Sequence, residues 1–241
     1  MLLSFVLGIF ALAVGLFFGN FGTSFYYRIA NRMPINGVGF NDGIPPHCST
    51  CKHPLRFYEY LPIFNWFSVK GNRCNYCGAG IDPVYQIFEF GVGLMSVFNY
   101  FALGLGGKYV LMTLFALCAL LAGILFYRKI AIPEHLVTLI GFIGLSNELM
   151  YNPKPLAIIL SLICFGLLFI LGPLKKASVH DATSALNYTG AEISLIVAIV
   201  LPIYVSIPLL VLIYCLYKQH VIASKYLYLI GLLSAWLFAI L

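Results

Sequence analysis

The sequence predicts an all-α polytopic membrane protein interrupted by one small polar loop, and three observations carry that prediction. Hydrophobic residues fill 61% of the 241 positions, while charged residues fill only 9%. The mean hydropathy is +0.96. The polar residues that remain gather into one long stretch near the N-terminus and into short punctuations elsewhere. A soluble domain carries roughly 25% charged residues, so this composition excludes a water-soluble protein with a single core and makes lipid the solvent for most of the chain. The net charge of +6 is scattered singly or in pairs between apolar runs. That scatter is a topology signal, and no nucleic-acid partner is expected from it.

Apolar stretches fall at about 2–19, 84–105, 109–127, 132–149, 156–174, 191–217 and 225–241. Each is near the ~20 residues that cross a bilayer as helix. The stretch 191–217 holds Pro202 and Pro208, so it is either one kinked span or two short elements. The expectation is therefore seven transmembrane helices, or eight if that stretch divides. Gly15 and Gly19 form a G-x-x-x-G spacing in the first span, a pattern that permits close helix packing. The first span lacks the basic flank and small-residue cleavage site of a removable signal, so a retained helix is expected.

Orientation is read from Lys and Arg. Six of the fourteen basic residues (Arg28, Arg32, Lys52, Arg56, Lys70 and Arg73) fall between residues 24 and 83. Placing that segment in the cytosol puts Arg128, Lys129, Lys175 and Lys176 on the same side, and under the seven-span reading leaves Lys108, Lys154, Lys218 and Lys225 outside. This bias predicts an external N-terminus and a cytosolic loop. The organisation that follows is a first transmembrane helix at 1–23, a cytosolic loop at 24–83 and a transmembrane helical bundle at 84–241.

The loop holds the most specific motif in the chain. Cys48 and Cys51 form one C-x-x-C pair, Cys74 and Cys77 a second, with 22 residues between them. Two such knuckles present four thiolates to one point, the donor set of a closed tetrahedral zinc site. A reducing cytosol favours thiolate–metal bonds over disulfides, so a zinc-ribbon-like loop with structural zinc is expected. Gly78 and Gly80 supply the tight turn after the second knuckle. His47 and His53 flank the first, and with four cysteines filling the shell they are expected to be solvated. Cys118, Cys164 and Cys215 lie singly in apolar runs, where a thiol behaves as a small hydrophobe.

The loop and its flanks resemble the type IV prepilin peptidase and N-methyltransferase family. The family's approach to the loop is matched by Thr23-Ser24-Phe25 through Arg32-Met33-Pro34. Between the knuckles stand Pro54-Leu55-Arg56-Phe57-Tyr58-Glu59 and Leu61-Pro62-Ile63-Phe64-Asn65-Trp66, and the exit reads Ile81-Asp82-Pro83-Val84-Tyr85-Gln86-Ile87-Phe88-Glu89. The resemblance implies an aspartic-type endopeptidase of the bacterial inner membrane that serves type IV pilus or protein-secretion systems. Its partners would be the leader segments of prepilins or pseudopilins. It also implies S-adenosylmethionine as the cofactor of a second, N-methylating activity. Cleavage in that family uses two aspartates at the membrane boundary, one ionised to take a proton from water and one protonated to polarise the scissile carbonyl.

The sequence departs from that pattern at the dyad. The first aspartate lies seven residues before a proline in the family, and Pro133 here places Phe126 at its position. The second is matched by Asp181 in Ser178-Val179-His180-Asp181. Glu134, directly after Pro133, lies on the same predicted membrane face and is the candidate for a displaced partner of Asp181. Glu89 occupies a position where the family keeps an acid beside its normal dyad, so it is not a spare carboxylate.

Overall fold

The computed structural model describes residues 2–33, 47–56, 59, 73–128, 130–151, 155, 158–159, 161–167, 170 and 236. Among the described residues the helices run in chain order as α1 (Leu2–Ala30), α2 (Pro83–Leu103), α3 (Gly107–Tyr127) and α4 (Glu134–Tyr151). Among the described residues, α1, α2 and α3 are long and apolar enough to cross a bilayer, and extended pairing is confined to two isolated bridges in the loop. The expected stretches 191–217 and 225–241 lie outside the described residues, apart from Trp236. Residues 158–159, 161–167 and 170 are helical within the fifth expected stretch.

The chain divides into two compact units, residues 1–98 and 99–241. The first unit is built on α1 and α2. In α1 the buried positions are Gly8, Ala11, Gly15, Leu16, Gly19, Gly22, Thr23 and Tyr26, a stripe of mostly small residues at helical spacing. Large side chains (Leu3, Phe5, Phe10 and Phe17 among them) face outward. That inversion is what a lipid solvent permits, because a small-residue seam lets two backbones approach while bulky apolar groups meet acyl chains. The seam meets α2, whose buried residues Val84, Phe88, Val92, Met95 and Ser96 recur at helical spacing. A Cβ built on Gly15 would stand 2.5 Å from the Ser96 Cβ and 2.7 Å from the Val92 carbonyl oxygen, and one on Gly19 would stand 2.7 Å from the Glu89 Cα. The Ser96 hydroxyl donates to the Ala11 carbonyl oxygen at 2.8 Å and closes the seam.

α1 continues past the expected first span to Ala30, and Thr23 bonds back to the Asn20 carbonyl oxygen at 2.7 Å within it. It ends by a paired-bond stop. Met33 N–H donates to the Arg28 carbonyl oxygen at 2.8 Å and Arg32 N–H to that of Ile29 at 3.1 Å. Arg32 adopts φ 55°, the left-handed position that such a stop requires. α2 starts on Asp82, whose Oδ1 accepts from Val84 N–H at 3.0 Å. Pro83 follows at the first helical position, where its missing N–H costs nothing.

In the second unit α3 is buried without interruption from Phe115 to Phe126, the environment of a helix surrounded by neighbours. α3 and α4 pack side by side, and a Cβ on Gly107 would collide with the Tyr151 hydroxyl. A buried polar trio stands in this apolar setting. Asn99 donates to the Thr113 hydroxyl oxygen at 3.1 Å and accepts from the Trp236 indole N–H at 3.1 Å.

Candidate functional site

The four-cysteine loop is assembled from two copies of one turn. In the first, Cys48 N–H donates to the His53 carbonyl oxygen at 3.0 Å and Lys52 N–H to that of Cys48 at 3.0 Å. In the second, Cys74 N–H donates to the Ala79 carbonyl oxygen at 2.8 Å and Gly78 N–H to that of Cys74 at 2.9 Å. The flanks pair in register too, His47 with Pro54 and Arg73 with Gly80. Both turns need a left-handed residue directly after their second cysteine. Gly78 fills that place at φ 71° and Lys52 at φ 59°.

The turns bring their sulfurs together. Cys48 and Cys77 Sγ lie 3.9 Å apart and Cys51 and Cys74 Sγ 4.0 Å apart, and all four sulfurs fall within 4.8 Å of one another. Zinc bound at about 2.3 Å in a tetrahedron requires sulfur separations of about 3.8 Å. The four cysteines therefore fit a tetrahedral metal ion in both spacing and chemistry. Burial pushes the Cys48 thiol up, but backbone N–H groups of Cys51 and Thr50 and the Cys74 and Cys51 side chains outweigh it and bring it down to about 7. The His53 backbone N–H draws Cys51 down, yet desolvation and the neighbouring Cys77, Cys48 and Cys74 carry it up to about 11. Packed thiolates repel one another, and a divalent cation at their centre is the means of ionising all four together.

The supports around the sulfurs differ between the turns. The Lys52 ammonium donates to the Tyr27 hydroxyl oxygen at 2.8 Å and lies 5.5 Å from that ring's centroid. The same hydroxyl shares a 3.2 Å hydrogen bond with His47 Nε2, and the two rings meet edge to face at 5.5 Å. The second turn is held through Asn75, whose amide donates to Glu59 Oε1 at 3.1 Å, while Glu59 Oε2 accepts from Arg56 N–H at 2.8 Å. The His53 ring meets that of Tyr76 at a 46° tilt with centroids 3.5 Å apart and so joins the two turns. The two histidines expected to be solvated are thus packed, because each ring has an aromatic neighbour from another segment.

Phe126, where the resemblance leads one to expect the first aspartate, lies in the last turn of α3 and is 4% exposed. Glu134 opens α4 and is half-buried. Residues 130–133 are non-helical, so Phe126 and Glu134 stand on different helices at the same end of the α3–α4 hairpin. A carboxylate in a first helical turn is stabilised by the helix dipole, which gives Glu134 a structural use in addition to any chemical one. Asp181 lies outside the described residues. Pattern reading of the sequence passes over Tyr27 and Glu59, since neither falls in a metal or acid–base motif. It also passes over Glu148, a buried acid within α4.

The fold and the site define a chain with three helices long and apolar enough to cross a membrane and, between the first two, a four-cysteine loop able to hold a metal ion. Comparison with known proteins narrows that class. Residues 14–103 match the Bacterial Peptidase A24 N-terminal domain, the stretch that runs from mid-α1 through the cysteine loop to the end of α2. A prepilin leader peptidase/N-methyltransferase of Burkholderia pseudomallei (strain K96243) is 27% identical over 135 residues, covering 46% of this chain and 41% of that relative. The chain thus spans about two fifths of the length of the curated relative it matches. No solved structure matches. Both matches support the type IV prepilin peptidase family, and the family model places that likeness in residues 14–103.

Proposed function

We propose that this chain is a prepilin leader peptidase family protein that engages the leader segments of type IV prepilins or pseudopilins at the cytosolic face of the bacterial inner membrane. The observation that carries this reading is the A24 N-terminal match, which coincides with a loop whose four sulfurs have metal-ligand spacing. In this reading zinc at Cys48, Cys51, Cys74 and Cys77 is structural, and S-adenosylmethionine is the methyl donor if N-methylation occurs. The N-terminus lies outside and the loop inside. Asp181 is the surviving member of the aspartate dyad, with Glu134 as the candidate replacement for its partner.

The burial of Phe126 favours a second reading, a catalytically impaired pseudo-peptidase that acts as a methyltransferase alone or as a prepilin-binding assembly factor. An aromatic ring can neither hold a proton nor orient water, so a peptidase centre routed through position 126 cannot run in this chain. A leader-cleavage assay separates the readings. Cleavage by the unmodified protein that is lost in both Glu134→Gln and Asp181→Asn supports a displaced dyad. Inactivity of the unmodified protein, with no retention of prepilin in a pull-down and no methyl transfer from S-adenosylmethionine to a processed pilin, contradicts both.

A further inference from the structure

The four-cysteine loop is tied to the first membrane helix by contacts that a self-contained metal ribbon does not need. Tyr27 lies on the last full turn of α1, and its hydroxyl receives the Lys52 ammonium at 2.8 Å while bonding His47 Nε2 at 3.2 Å. Lys52 directly follows Cys51, and His47 directly precedes Cys48. The first turn is thereby gripped on both sides of its cysteine pair by one residue of α1. The second turn is tied to α2 by the chain itself, since only residues 78–82 separate Cys77 from Pro83, and Asp82 caps α2 through Val84 N–H at 3.0 Å. α1 and α2 then meet along the Gly15–Gly19 seam. Nearer the loop, Tyr26 packs on Tyr85 and Phe88 with centroids at 6.4 and 6.0 Å. These links form a ring: α1, Tyr27, first turn, metal, second turn, α2, and back to α1 through the seam.

We propose that the metal centre is a staple on the membrane helices, with Tyr27 as its anchor, so that bound zinc fixes the loop-side ends of α1 and α2 to each other and the helix seam in turn retains the zinc. The physics is that of a chelate. Each turn supplies two sulfurs, and the helices set the effective concentration at which one pair meets the other. A ring of this kind makes metal affinity and helix packing reciprocal, because any link that opens the ring lowers the effective concentration for closure. Tyr27 is a positioning residue here; it touches no metal. The proposal does not depend on which substrate the protein processes.

The test is zinc transfer from the purified full-length protein, loaded with one zinc in detergent micelles, to a chromophoric chelator followed by stopped flow. Four variants are compared with the unmodified chain: Tyr27→Phe, Gly15→Ala, their double substitution, and Phe10→Ala on the outward face of α1. Gly15 lies about 18 Å along the helix from Tyr27, too far for any direct effect on the sulfurs. Tyr27→Phe and Gly15→Ala should each speed zinc release about tenfold. The double variant should be little faster than the faster single one, since either change opens the same ring, and Phe10→Ala should be unchanged. Release from Gly15→Ala at the unmodified rate overturns the staple, whatever Tyr27→Phe does, because the metal site would then be independent of the helix seam. If Gly15→Ala does not fold, Ser96→Ala removes only the hydroxyl bond to the Ala11 carbonyl and is read the same way.

Discussion

In the first unit four thiols converge on one point, and each cysteine turn has a support reaching in from another segment. Tyr27 holds the first turn, Glu59 holds the second, and His53 on Tyr76 joins them. In the second unit the hairpin that would carry half of a carboxylate dyad has a well-packed aromatic side chain in its place. One region brings its reactive groups together on a scaffold that aims them, while at position 126 the other places a packed ring. The contrast teaches that packing and chemistry are separable requirements. A helix such as α3 folds equally well, or better, when a boundary carboxylate becomes an apolar ring, because the ring needs no hydration. A four-thiolate turn loses its fold together with its metal.

The largest effect expected from breaking this contrast falls on the metal loop. Replacing any one of Cys48, Cys51, Cys74 or Cys77 with Ser should take zinc from one per chain to near none by elemental analysis. The remaining three thiols should then react with alkylating reagents without denaturant. Metal binding in small zinc modules supplies on the order of 10 kcal/mol of folding free energy, so no other single change in the first unit should rival it. Zinc-free protein with four protected thiols would contradict the assignment.

The next effect sharpens the other side. Phe126→Asp restores a carboxylate at the family's first dyad position and should raise leader cleavage by roughly 10²–10⁴-fold over the unmodified chain, the span typical of a positioned acid–base group. It should also lower stability by about 3 kcal/mol, since a buried aromatic ring is lost from a close-packed helix. The gain must vanish in Phe126→Asp combined with Asp181→Asn. A gain that survives Asp181→Asn removes Asp181 from the mechanism.

How much of this was legible in the sequence depends on the range of the interaction. Composition and run length mark the membrane class and the cores of α1, α2 and α3, because burial in lipid is written residue by residue. The four cysteines are legible because a metal site needs a rare residue at a fixed spacing. Gly15 and Gly19 show as a spacing, but their partners in α2 do not, since nothing local in α1 names Val92 or Ser96. Tyr27 and Glu59 are the harder cases. Tyr27 joins Lys52 and His47 across about twenty residues and more of chain, and an aromatic residue near a membrane helix end is ordinary by composition. Glu148 left a clearer trace, an acid inside the apolar stretch 132–149, yet a charge pattern read for topology weighs Lys and Arg and passes over it.

A smaller effect tests whether the second turn is as firmly held as the first. Glu59 is 5% exposed, and its carboxylate accepts from Asn75 and from the Arg56 backbone. Glu59→Ala should cost about 1.5–3 kcal/mol, the range for hydrogen bonds to a charged group. The loss should appear first as faster alkylation of Cys74 and Cys77 in the zinc-loaded protein, with Cys48 and Cys51 lagging. Equal acceleration of all four thiols would mean that Glu59 supports the whole loop and not the second turn in particular.

The smallest expected effect concerns the left-handed position of each turn, which the two turns fill with different residues. Gly78 and Lys52 both follow the second cysteine of a pair and both sit in left-handed backbone, at φ 71° and 59°. A side chain in that region costs roughly 1 kcal/mol that glycine does not incur. Gly78→Ala should therefore destabilise the second turn by about 1 kcal/mol, and a Cβ there meets no neighbouring atom, so the cost is purely one of backbone conformation. At Lys52 two terms oppose each other. Lys52→Met removes the bond to Tyr27 and keeps the strained backbone, whereas Lys52→Gly removes the bond and relieves the strain. The two variants lose the same ammonium, so their difference isolates the conformational term. Lys52→Gly should be more stable than Lys52→Met by about 1 kcal/mol, less the extra chain entropy that glycine brings to the unfolded state. Chemical denaturation of the zinc-loaded protein, followed by thiol exposure, measures it. If Lys52→Met is the more stable of the pair, the left-handed geometry of the first turn is not what limits it, and the two turns are alike in outline only.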